Sequence, residues 1–125
     1  MDTNNRPIPI YTTSGDPESF LVFPHIFNQS GDWIGWITSD RQVYSVYGKY
    51  VGWIADGPRI FRKRVYDYTI PDRQPPTPPK RLSVPSTVPL APMMSEITFS
   101  TIDVLEESPE LLPTLDDYTF VDDMD

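Results

Sequence analysis

The chain of 125 residues has no cysteine and a single histidine, His25. Disulfides and thiolate metal sites are therefore excluded, and a lone imidazole would leave a transition-metal centre to rely on carboxylates. No apolar run approaches a membrane span, and Met1–Pro7 lacks the apolar core of a signal peptide. A cytoplasmic protein without membrane contact is expected. A glycine-rich phosphate loop is also missing, because the six glycines are spread along the chain and not clustered between a strand and a helix. Ser14 and Ser30 could serve as nucleophiles, but each precedes a glycine and is explained as a turn residue. No catalytic motif, cofactor or metal site emerges, and a non-enzymatic protein is expected.

An excess of positive charge is missing too. The formal net charge is -8, but residues 1–70 carry seven acidic and seven basic side chains. The imbalance lies beyond residue 70, where eleven acidic groups face three basic ones. The same division separates the aromatics, thirteen of sixteen before residue 70, from the prolines, ten of fifteen after it. Three regions follow: a domain over residues 8–70, a proline-rich linker over 71–94, and an acidic tail over 95–125, expected to be disordered.

Within the first region a fragment recurs. Trp33-Ile-Gly-Trp-Ile37 and Tyr50-Val-Gly-Trp-Ile54 are near copies, and Glu18-Ser-Phe-Leu-Val22 is a more degenerate third. Each follows an apolar pair and a turn glycine: Ile10-Tyr11 with Gly15, Ile26-Phe27 with Gly31, Val43-Tyr44 with Gly48. A fourth unit opens at Ile60-Phe61, so the units are spaced by 16, 17 and 17 residues. That length suits two short strands and their turns, not a helical hairpin. Strict alternation places Ile34 with Trp36 on one face and Trp33 with Ile37 on the other, so both faces are apolar. Such strands are buried on two sides or belong to a small closed sheet. The fold expected is all-β: about four hairpin repeats of roughly 17 residues closed around a pseudo-symmetry axis. Ser19, Gly35 and Gly52 recur at one place in the second strands, which implies a close approach there.

These residues resemble the bacterial 4-fold beta flower proteins, small domains of four β units about a central axis with no established activity. The resemblance runs from about residue 8 to 68. It departs in unit one, which has Ser19-Phe20 for Gly-Trp, and in unit four, where Val65 stands in place of the turn glycine. The resemblance implies no catalytic residues.

Candidate binding residues come from two features. Trp33, Tyr47 and Tyr50, if exposed, could stack on sugar rings or prolines; filling a small core competes with that reading and is preferred. Arg59, Arg62, Lys63 and Arg64 interleave with Ile60 and Phe61 and could meet a polyanion. Guarding a strand edge, or docking the chain's own acidic tail, ranks above nucleic acid. Pro75–Lys80 fits a Pro-x-x-Pro-x-Lys pattern, although linker is the simpler account. Ser100 with Asp103 could cap a short helix ended by Pro109. Leu111, Leu112, Leu115, Tyr118, Phe120 and Val121 lie among carboxylates, a composition that suits docking into a partner. The function expected is a structural or protein-interaction module that meets a protein partner through its C-terminal tail. A glycan- or nucleic-acid-binding domain is the alternative.

Overall fold

A computed structural model describes residues 6–65 and 69–115. Over them, eight strands form one antiparallel sheet in which hydrogen-bonded neighbours follow chain order. They are β1 (Ile8–Tyr11), β2 (Pro17–Val22), β3 (His25–Asn28), β4 (Trp33–Ile37), β5 (Gln42–Ser45), β6 (Tyr50–Ala55), β7 (Arg59–Lys63) and β8 (Thr101–Asp103). The sheet curls into a half-barrel. A short helix α1 (Val104–Glu107) and one 3-10 turn (Pro109–Leu111) follow.

Three hairpin turns share one set of bonds. Thr12 donates its backbone N–H to Asp16 O (2.8 Å) and accepts from Gly15 N (2.9 Å); Asn28 does the same with Asp32 and Gly31, and Ser45 with Lys49 and Gly48. In each case the first residue's side-chain oxygen accepts the N–H of the fifth. The fourth residue has positive φ, at 96°, 87° and 83° for Gly15, Gly31 and Gly48, which glycine adopts without a Cβ clash.

The register also slips at one place in each of these hairpins. Ile10 faces Ser19 but Tyr11 faces Pro17; Ile26 faces Gly35 but Phe27 faces Trp33; Val43 faces Gly52 but Tyr44 faces Tyr50. Glu18, Ile34 and Val51 are the extra residues of three β-bulges. A bulge advances the strand by one residue and reverses the alternation beyond it. Strict alternation therefore assigns the wrong faces here. Ile34 and Ile37 share an aliphatic core with Ile10, Ile26, Val43, Val51, Ile54 and Ile60. Trp33 and Trp36 lie together in an aromatic layer with Phe27 and Tyr44.

The domain does not end at residue 70. No turn glycine follows Ile60-Phe61, and the partner of β7 on its far side is β8, which pairs Phe61 with Asp103 and Lys63 with Thr101. The segment expected to be a disordered tail then enters the core: Val104 is 0% and Leu112 5% exposed. Residues 101–103 form a strand where a helix capped by Ser100 was expected, because the bare edge of β7 offers them a ladder. The Asp103 carboxylate makes no cap bond to α1. Instead its Oδ2 accepts from Thr13 N (2.6 Å) and Thr13 Oγ1 (2.7 Å). With a bond from Tyr11 N to Pro58 O (2.9 Å), these contacts clasp the first hairpin to the last. Tyr118, Phe120 and Val121 lie outside the described residues.

Two stability predictions follow from this packing. A Cβ on Gly35 would stand 2.7 Å from Tyr44 O and 2.9 Å from Leu112 Cδ2, and one on Gly52 would overlap the carbonyl oxygen of Phe61. Gly35→Val and Gly52→Val should each cost about 3 kcal/mol or more in urea melts, Gly52→Val the more; unchanged midpoints would mean that the strands can part there. A chain ending at Ile70 loses β8, Val104 and Leu112 and should give no cooperative melt, whereas a sharp transition would restore a boundary at that residue.

Candidate functional site

The aromatic layer lies on the face of the sheet opposite the aliphatic core. Trp36 and Tyr44 stack with centroids 5.0 Å apart at 20°, and Tyr50 meets Tyr44 edge-on at 5.5 Å. Trp36 Nε1 donates to Ser45 O at 3.0 Å, so the indole is satisfied within the sheet. Rings of this size cannot stand bare in water without exposing a large apolar patch. The proline-rich segment covers them.

That segment crosses the hairpin turns as a strap. Arg73 donates its backbone N–H to Gly48 O and Leu82 to Gly31 O, both at 2.9 Å. Nine residues past Leu82, Ala91 Cβ lies 3.7 Å from where a Cβ on Gly15 would stand. Tyr11 Oη donates to Pro89 O at 2.8 Å. The guanidinium of Arg73 sits 5.5 Å from the Tyr44 ring centroid and 6.0 Å from that of Trp36, over the aromatic layer. Gly31 and Gly48 therefore serve a second purpose, since a side chain on either would collide with the carbonyl of Leu82 or Arg73 respectively.

Charge follows the same register. The residue after the turn glycine is Asp32 in unit two and Lys49 in unit three, and the residue before the strap's bonded amide is Arg81 or Asp72. Arg81 Nη1 pairs with Asp32 Oδ1 at 2.8 Å, and Lys49 Nζ with Asp72 Oδ2 at 2.9 Å. The lysine that interrupts the acidic pattern of the turns is thus met by an acid. Sequence reasoning missed the strap because proline was read as spacer; the detectable signal is the even spacing of Arg73, Leu82 and Ala91 against the 16- and 17-residue spacing of the turns.

The expected binding residues fall into separate environments. Trp33 is 9% exposed and lines a cleft of about 160 Å³ with Pro78, Pro79 and Arg81. Tyr47 and Tyr50 are half-buried against the same layer; Tyr47 Oη donates to Thr114 O (3.3 Å) and Tyr50 Oη to Gln42 Oε1 (2.8 Å). Arg59 is 1% exposed, with Nε on Asp56 O (2.8 Å) and Nη1 on Ser95 O (2.9 Å) and Thr13 Oγ1 (3.2 Å). Arg62 Nη1 reaches Val51 O (2.8 Å) and Tyr50 O (3.4 Å). Arg64 donates to Phe99 O (2.7 Å) and forms a two-pronged pair with Glu107 (2.7 and 3.3 Å). That pair holds the Glu107 carboxyl below its ordinary value and Arg64 above it, chiefly through the hydrogen bond. Lys63, at the end of β7, is exposed. The cluster is contiguous in sequence but does not form one surface: Arg59 points into the clasp, Arg62 back over β6 and Arg64 to α1.

His25 lies in the aromatic layer, 5.7 Å from Trp33 and 6.2 Å from Phe27. Its Nδ1 is buried without a partner, and burial lowers its pKa. Among the described residues no three His, Cys, Asp or Glu side chains gather as metal ligands. None of their helices is long and apolar enough to cross a membrane.

A single antiparallel sheet of sequential hairpins, with few helices, defines a class of small all-β proteins. The chain belongs to the 4-fold beta flower family, whose model matches residues 8–104 and so includes the strap and β8. No curated protein and no solved structure matches it.

Two measurements test this site. Because burial depresses the folded pKa of His25, the unfolded chain takes its proton first; the histidine's contribution is full above about pH 6.5 and is lost as pH falls towards the folded value. His25→Gln should therefore flatten the decline of melting temperature below that pH, and an unchanged slope would place the imidazole in water. Lys49→Asp should cost at most about 1 kcal/mol, and adding Asp72→Lys should recover it; strict additivity in this cycle would mean the pair does not hold the strap.

Proposed function

We propose that the protein is a non-enzymatic interaction module whose partner protein docks on its C-terminal segment. The observation that carries this reading is a line of large apolar side chains on the last part of the strap. Leu90 is 95%, Met93 100% and Phe99 83% exposed within ten residues, although the segment around them is held by Tyr11 and Arg59. Arg64 adds a cation 4.9 Å from the Phe99 ring centroid. Apolar side chains fixed in water on a pinned segment suit a hydrophobic contact with another chain, because little further ordering is needed on binding.

The four-unit arrangement about a pseudo-symmetry axis is part of the same reading. It is supported by the common turn, the common bulge, and β8 meeting Phe61 where Trp33 meets Phe27 and Tyr50 meets Tyr44. A cytoplasmic setting, in keeping with a chain that lacks cysteine, completes it. The glycan or nucleic-acid alternative has less support, since Trp33 and Arg59 are both buried.

The triple variant Leu90→Ser, Met93→Ser, Phe99→Ser removes the line without touching the core. Its melting temperature should equal that of the parent, and proteins captured by the full chain should be lost from it. Capture of the same proteins by both would remove the reading.

A further inference from the structure

The aliphatic core is covered at one end by Val104 and Leu112. Its other end opens as a bowl of about 390 Å³, within the range of small-ligand sites. Leu21, Ile37 and Ile54, which hold one register place in three hairpins, line it with Ile8. Two charged residues stand on its rim, Arg41 and Asp56.

Arg41 is the unusual one. The turn at Thr38 is built as the three glycine turns are: Thr38 N–H donates to Gln42 O (2.9 Å), Arg41 N–H to Thr38 O (3.0 Å), and Gln42 N–H to Thr38 Oγ1 (3.1 Å). The residue at its positive-φ place is not glycine but Arg41, at 68°. Glycine satisfies that place wherever the turn faces the strap, so local geometry does not call for a side chain here. A left-handed backbone costs an arginine more than a glycine, and strain of this kind gathers at binding sites. Its backbone carbonyl is used, accepting from Ile54 N at 3.0 Å. Among the described residues no hydrogen bond or ion pair is made by its guanidinium. The unusual residue thus stands at a turn that borders the open bowl, across from the Asp56-Gly57-Pro58 turn.

We propose that the bowl binds an apolar chain ending in a carboxylate, with the chain against Leu21, Ile37 and Ile54 and the head on the Arg41 guanidinium. An aliphatic wall selects an alkyl body, and a guanidinium without a partner selects an anionic head that it can hold by charge-assisted hydrogen bonds. Asp56 repels a carboxylate, which keeps the head on the Arg41 side of the rim. The site is remote in sequence from Leu90, Met93 and Phe99 and does not depend on their role.

The test is a titration of the full chain with sodium octanoate, followed by the methyl resonances of Leu21, Ile37 and Ile54. Saturable shifts at these methyls are expected, at least tenfold weaker with butyrate. Arg41→Gly should weaken octanoate at least tenfold with no fall in melting temperature, because glycine suits the backbone. Asp56→Asn should tighten it. Equal octanoate affinity in Arg41→Gly, equal affinity for butyrate, or shifts confined to the exposed Leu90 and Met93 methyls would overturn the proposal.

Discussion

One unpaired residue per hairpin decides which side of the sheet each side chain takes. Without Glu18, Ile34 and Val51 as bulge residues, each Trp or Tyr would share a face with its neighbouring Ile, and neither face would have one size of side chain. With them, one face holds isoleucine and valine and the other holds the rings. The bulge also increases local twist, which bends the ribbon in the same sense at each repeat. Gly35 and Gly52, opposite Ile26 and Val43 on the residue just past the bulge, let the next strand close over them.

A sheet that is apolar on both faces needs two covers, and the chain between β7 and the end of the described residues supplies both. The strap covers the rings, and Val104 with Leu112 closes one end of the aliphatic core. Proline suits the strap because it is stiff before it docks and therefore loses little entropy on docking. It also removes donors, so amide contacts can form only at other residues. The two backbone bonds to the turns come from Arg73 and Leu82.

The hairpins were legible because a turn glycine is a local requirement and recurs at visible spacing; the turns at Gly15, Gly31 and Gly48 and the close approach at Gly35 and Gly52 could be read in this way. Face assignment was not legible. A run such as Trp-Ile-Gly-Trp-Ile is apolar at both parities, so only the partner strand reveals the bulge. The partner strand of β7 was hidden for a different reason: three residues, Thr101–Asp103, carry too little pattern to be recognised far from their partner. The basic run Arg59–Arg64 misled through adjacency, since successive residues of a strand point to opposite faces and its guanidinium groups meet three different parts of the chain. The strap failed as a linker reading because composition records how stiff a segment is and not what lies beneath it.

The ion pairs along the strap contribute little to stability, because Lys49, Asp72 and Arg81 are all more than half exposed in their side chains. Their effect is on register. Moving the strap by one nine-residue step in one direction brings Arg81 to the turn of Lys49, and in the other brings Asp72 to the turn of Asp32. Both alternatives set like charges together, so a pair that is weak in its own place becomes a difference of two signs between right and wrong placement. Two repeat turns with the same sign would have left the strap free to slide, since their backbones and glycines are alike. The substitution of lysine for aspartate in the third unit therefore supplies the asymmetry that a repeat lacks, and it lets a segment with few directional bonds find one position on a surface built from near-identical turns.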